Sequence, residues 1–291
     1  MGILLANRRP PSSCDMPARD LRFSEAPVER RWYMGGEPVP SAFLSALSAT
    51  FPLGEKFFID SVRRFQDVEG KLGDDIQAFV VQEAFHTREH LAFNKLVADT
   101  GYSTAAMTER TRAVLRPFRT RSALRQLGLT MALEHFTALF AHEVLTREQR
   151  LAPAPQPIRA LWRWHAMEEI EHKAVAFDTF DEIARRWMPV GRYVFRIRAM
   201  VEATAVLLSV VARNMDDLFA QDGLPRWRTW ARAMPYFFGL GGVLTSMAPD
   251  YLAWFRPGFH PWDIDDRALI HQVAQELPGG VPANQPRGAV G

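Results

Sequence analysis

Two Glu-x-x-His units, Glu83-Ala-Phe-His86 and Glu169-Ile-Glu-His172, lie in separate parts of a 291-residue chain. Each puts a carboxylate and an imidazole three positions apart. An α-helix turns about 100° per residue, so Glu83, His86 and His90 fall within roughly 60° of arc. The same holds for His165, Glu169 and His172. Two more acids come one before each unit: Glu55 ahead of the first and Glu134 ahead of the second. The order Glu, Glu-x-x-His, Glu, Glu-x-x-His suits a four-helix bundle that holds two metal ions in its core. Four carboxylates offset the repulsion between two divalent cations, and neutral imidazoles leave positions open for water or oxygen. Without ions, four buried acids would be costly and their pKa values would rise. Six ligands, Glu55, Glu83, His86, Glu134, Glu169 and His172, suit a pair of iron ions, with manganese or zinc as alternatives. A single tetrahedral zinc would leave ligands unused.

Neighbouring residues have competing readings. Glu168 either replaces Glu169, stands behind the ligands, or assists proton transfer. His90 and His165 are either further ligands or hydrogen-bonding partners of the ligands, and so candidate catalytic residues with Glu168. His135 reads as a ligand's partner or a core histidine. His142, His271 and Glu143 read as structural or surface residues. The aromatic rows Phe57-Phe58, Trp162-x-Trp164 and Tyr236-Phe237-Phe238 read as core before cofactor box. The segment Pro257-Gly258-Phe259-His260-Pro261-Trp262-Asp263 either covers the pocket or locks a turn. The lone Cys14 reads as inert.

The elements that must position these groups are helical. Apolar residues recur at helical spacing, with no hairpin turn of the Asn-Gly type and no sustained alternation. The spacing predicts helices over about 40–69 with a bend at Pro52 and Gly54, 73–99, 104–116, 121–149 and 157–187. Further helices are expected over 191–219, 225–238, 241–255 and 263–276. The long gap between His86 and Glu134 suits a crossover between the second and third bundle helices. The expected fold is all-α, a ferritin-like four-helix bundle with additional C-terminal helices. Residues 1–38 read as a tail or arm, 39–188 as the metal-binding bundle, 189–276 as helices packed on it, and 277–291 as a disordered tail.

Composition narrows the function. Lys and Arg total 35 against 33 Asp and Glu, so no electrostatic case exists for a nucleic-acid partner. One cysteine excludes a disulfide framework and a multi-thiolate metal site. The start of the chain is too short in apolar residues for a signal peptide. The longest apolar run, 203–212, falls short of the ~20 residues that span a bilayer. A cytoplasmic protein is the expectation, with a homodimer or a peripheral membrane contact left open.

Several segments together resemble one bacterial family, that of the predicted metal-dependent hydrolases. They are Leu47 to Glu55 (LSATFPLGE), Gln82 to His90 (QEAFHTREH), Glu134 to Thr137 (EHFT), Trp162 to Asp178 (WRWHAMEEIEHKAVAFD) and Pro257 to Trp262 (PGFHPW). The resemblance covers about residues 30 to 265 and implies metal dependence. The ligand pattern also resembles that of ferritin-like non-haem di-iron oxygenases, including arylamine N-oxygenases. Some of these carry an extra histidine ligand, a role open to His90 or His165. Two reactions follow. The first is oxygen-activating oxidation of a small organic substrate by a di-iron site, with an electron donor and a pocket lined by Phe57, Phe85 and Trp164. The alternative is hydrolysis by a metal-bound hydroxide, with Arg88 and Arg163 as candidates to hold a phosphate. A non-catalytic metal-binding protein is the third reading.

Overall fold

A computed structural model describes residues 14–23, 28 and 30–277. The described residues are all-α, with no strand among them. In chain order the helices are α1 (Pro38–Ser48), α2 (Phe51–Val62), α3 (Lys71–Asp99), α4 (Ala105–Arg119), α5 (Ala123–Thr146) and α6 (Gln156–His172). There follow α7 (Val175–Ile183), α8 (Pro189–Gln221), α9 (Arg226–Phe238), α10 (Val243–Ala253) and α11 (Arg267–Glu276). The expected tail over 277–291 lies outside the described residues except for Leu277, and so do the first thirteen residues.

Local chemistry accounts for most boundaries. Proline stands in the first turn of α1, α2, α6 and α8, where its missing N–H costs nothing. The 29-residue α3 runs up to Gly101, whose φ of +97° is the left-handed turn that glycine adopts freely.

Two expected helices are broken. The expected 40–69 helix divides at Ala49–Thr50 into α1 and α2, not at Pro52 and Gly54. Pro52 instead starts α2, a position that suits its fixed φ. The expected 157–187 helix divides at Lys173–Ala174, directly after His172. No glycine or proline marks that break. It coincides with a tertiary tie: Lys173 Nζ donates to the Ile264 carbonyl and to Asp266 (2.6 Å each) and lies over the Trp262 ring.

The site-bearing helices touch one another. α2 packs on α3 and α5, and α6 packs on α5 and α3. The long α8 lies across α5, α1 and α4, and α11 covers α6. Two apolar clusters form the core. One contains Phe51, Phe93 and Trp162; the other contains Phe57, Phe79 and Phe136. A layer of buried acids and imidazoles lies between them. Phe51 meets the rings of His90 and His165 from one side, and Phe79 meets His172 from the other. No helix among the described residues is long and apolar enough to cross a membrane.

Candidate metal centre

α2 carries Glu55, α3 carries Glu83, His86 and His90, α5 carries Glu134, and α6 carries His165, Glu168, Glu169 and His172. All nine are buried, none more than 3% exposed. The shared helix faces inferred from 100° spacing therefore do point inward. Two groups of donor atoms form, each within 4.8 Å of one another: Glu83, His86, Glu169 and His172, and Glu55, His90 and His165. Such a spread is comparable to the ~4 Å width of a shell with bonds of about 2.1 Å. Glu169 links the groups: its Oε1 is 2.6 Å from His165 Nε2 and 3.7 Å from His86 Nδ1.

Hydrogen bonds fix which atoms are free. Arg19 donates to Glu168 (3.0 Å) and bidentately to Glu171 (2.8 and 2.7 Å), and Trp164 Nε1–H donates to Glu168 (3.0 Å). Glu168 in turn accepts from His86 Nε2–H at 3.0 Å. With that nitrogen donating, Nδ1 turns toward Glu83 and Glu169. Glu134 accepts from His172 Nδ1–H (3.0 Å), which leaves His172 Nε2 facing Glu83 at 3.6 Å. Thr87 donates to Glu55 Oε2 (2.9 Å). His165 and His90 are bonded to each other, and His90 Nδ1 meets the Ser48 hydroxyl at 2.8 Å.

Of the twelve buried side-chain atoms with no partner among the described residues, seven lie here: Glu55 Oε1, both oxygens of Glu83, His86 Nδ1, Glu134 Oε1, Glu169 Oε2 and His172 Nε2. These seven fall on the six expected ligands, and the other five are single atoms of Gln82, His135, Trp162, Arg196 and Ser246. Among the described residues, none of the four acids forms an ion pair with a lysine or arginine. Orphaned donors of this kind cost about 1–3 kcal/mol each unless something fills them. Divalent cations supply both the missing charge and the missing partners, so the residues fit a metal.

The electrostatics agree. Burial, then the neighbouring Glu83, pushes Glu55 well above the usual carboxylate range, and burial followed by Glu169 does the same to Glu134. Glu83 is also pushed up, by burial first. Burial also pushes at Glu169, but the bond from His165 and the surrounding imidazoles overcome it and hold the group down at about 2. Against burial, Glu134 raises His172 to about 9, and Glu168 raises His86. His165 falls to about 4 through burial and the charge on His86, and His90 falls through burial and the charge on His165.

The placement of single residues departs from expectation in several ways. Glu134 lies behind His172, outside the two mutually close donor groups. Glu168 stands behind His86, the second of the roles left open for it. Phe57, Phe85 and Trp164 do not line the cavity beside the site. It is bounded by Phe43, Phe51, Phe58, Phe136, Phe140 and Trp162, with His165 and Glu169 at one end. Phe58 stands about 100° of helix from Phe57, and Trp162 about 200° from Trp164, so Phe58 and Trp162 face that side. Arg88 pairs with Asp20 and Glu89, and Arg163 with Glu276, away from the donors. Arg19 was missed. It reaches the site's carboxylates from some 150 positions away, and no local pattern could have marked it.

The remaining residues are structural. His135 packs between Trp254 and Phe259 and is held at about 3 by burial and Lys173. His142 pairs with Asp266, Glu143 pairs with Arg150, and His271 is exposed. The segment 257–263 locks a turn, with His260 capping it and reaching Asp178. Cys14 donates to the Glu171 carbonyl, and burial pushes its thiol up to about 12.

A model of the family described as predicted metal-dependent hydrolase matches residues 17–265. No curated protein and no solved structure matches the chain.

Proposed function

The chain belongs to the predicted metal-dependent hydrolase family, and from that premise we propose that it is a hydrolase working through a dinuclear carboxylate–imidazole centre. The observation that carries this is the set of seven partnerless donor atoms on Glu55, Glu83, His86, Glu134, Glu169 and His172. Glu83, His86, Glu169 and His172 would hold one ion. Glu55, with His165 and His90, would hold a second, which would replace the bond between the two imidazoles, with Glu169 between the two ions. Glu134 steadies His172 and keeps one oxygen free. The bound ions would supply Lewis acidity toward a substrate oxygen and acidify a water near neutral pH.

The chain's own residues do the rest. Glu168, fixed by Arg19 and Trp164, holds His86 in one tautomer and orientation. Glu169 borders the inner end of the cavity, so a substrate's reacting group would meet the centre there. The aromatic wall excludes water from the reacting end.

A second reading, oxidation by oxygen on an iron pair, rests on the donor set alone: carboxylates and imidazoles without sulfur suit iron or manganese. Metal analysis with an absorption spectrum separates the two. About two zinc ions per chain, no visible band and ester cleavage support hydrolysis. Two irons, a charge-transfer band and oxygen uptake support oxidation. Protein that binds no metal after reconstitution sinks both. Glu83→Ala should lose the metal while helicity is retained.

A further inference from the structure

We infer that the cavity beside Glu169 seats an uncharged substrate with an aromatic ring or a short acyl chain, its reacting group at the Glu169 end. This rests on the metal centre proposed above, and it adds the chemistry of the molecule that the centre meets.

The cavity has a volume of about 120 Å³. That is close to the ~150 Å³ of an apolar cavity that stays dry and binds benzene, and far above the 10–15 Å³ needed for one water. The walls come from α1, α2, α4, α5, α6, α8 and α10. No lysine, arginine or aspartate lies among the residues lining it. Its three threonines are turned away from it electrically. Thr50, Thr111 and Thr137 each donate their hydroxyl to a backbone carbonyl of their own helix region, Leu47, Met107 and Glu134. The wall therefore offers an anion no lysine or arginine and no free hydroxyl.

The one acidic group on the wall is Glu169, with Oε2 unpartnered, and Trp162 on the same wall has an unpartnered indole N–H. A phosphate monoester or a free carboxylate would shed its hydration along a wall with no lysine or arginine to replace it. Phe51 and Trp162 connect wall to site, since both rings pack on His165. The far end lies between α8 and α10, where Leu208 is 43% exposed, so this end opens to the surface. A neutral molecule can thus enter apolar end last and present its polar group to Glu169. Each methylene buried in such a wall is worth about fourfold in affinity.

The test uses a neutral probe that needs no reaction, 4-fluorotoluene followed by fluorine NMR on the full chain. Wild type should bind it, hexan-1-ol should displace it, and hexyl phosphate should not. Leu207→Trp and Leu244→Trp, at two wall positions that are partly buried and hold no ligand, should each weaken binding at least tenfold with unchanged circular dichroism. On zinc-loaded protein, 4-nitrophenyl hexanoate should be cleaved at least tenfold more efficiently than the acetate, and 4-nitrophenyl phosphate left intact. The inference is overturned if wild type does not bind 4-fluorotoluene, if hexyl phosphate displaces it as well as the alcohol does, or if both tryptophan variants bind like wild type. Probe binding as expected without any ester cleavage would instead overturn hydrolysis and leave the substrate class standing. Ester cleavage indifferent to chain length, with no probe binding, would overturn the cavity's role and leave hydrolysis standing.

Discussion

At the scale of single residues, the site is set by which atom of each side chain is already engaged. Glu168 matters because it occupies the Nε2 side of His86 and so leaves Nδ1 for an ion. Replacing Glu168 with Gln removes the carboxylate and weakens that orientation. The expected result is a 10–100-fold loss of metal affinity with the fold intact, read by competition with a chelator of known affinity. Titration makes a second prediction. His172 is raised from 6.5 to about 9, and His86, Glu55 and Glu134 are raised too. A raised group binds its proton more tightly folded than unfolded, so its contribution is whole below the unfolded value and lost as pH climbs through the folded one. His90 and His165 are depressed, and above pH 6.5 they are neutral in both states. Metal-free protein should therefore melt at lower temperature at pH 9 than at pH 7. With ions in place of the protons, the same scan should be nearly flat. Equal slopes with and without metal would contradict this account.

At the scale of elements, the site depends on helices held at short range. α5 and α8 approach closely at Gly128, where an added Cβ would come within 2.6 Å of the Phe195 ring. That ring stacks on Phe180 at 4.8 Å and meets the edge of Trp187, so a shift that made room for the methyl group would disturb both contacts. In an open helix Gly→Ala would gain up to ~1 kcal/mol. Here Gly128→Ala should cost about 1–3 kcal/mol through overpacking, measured by urea unfolding. A stabilised variant would show that the two helices can part without penalty. The arm before α1 acts on the same scale. Arg19, Asp20, Leu21 and Phe23 tie it to Glu168, Glu171, Arg88 and Glu89, so it straps α3 to α6 across the outside of the donor cluster.

At the scale of the whole molecule, a layer of acids and imidazoles is sandwiched between two apolar clusters. Burying that layer without ions leaves desolvated carboxylates uncompensated, and binding stabilises only the folded state, which gathers the ligands. At a free metal concentration 100 times Kd, the folded chain gains about 2.7 kcal/mol. Adding chelator to loaded protein should lower Tm, and restoring metal should recover it. In Glu83→Ala the two melting curves should coincide. A chelator-insensitive Tm in the wild type would mean that the orphaned donors are filled by something other than metal.

The fold class and the inward faces of the site helices were legible in the chain itself, because both follow from local periodicity. A 100° turn per residue brings Glu83 to His86 and His90, and His165 to Glu169 and His172, whatever the helices pack against. The same periodicity predicts α3, α5 and α8 to within a few residues. Other features depend on groups distant in sequence, and only tertiary structure decided them. The break after His172 has no glycine or proline, and it sits where Lys173 meets Asp266. Glu134 falls behind His172, and Glu168 behind His86, through bonds between α5 and α6 and between α3 and α6 that spacing within one helix does not set. Phe58 and Trp162 line the cavity in place of Phe57 and Trp164 because α8 and α10 close over that side. Arg19 joins the carboxylates through a contact spanning half the chain, which local periodicity cannot encode.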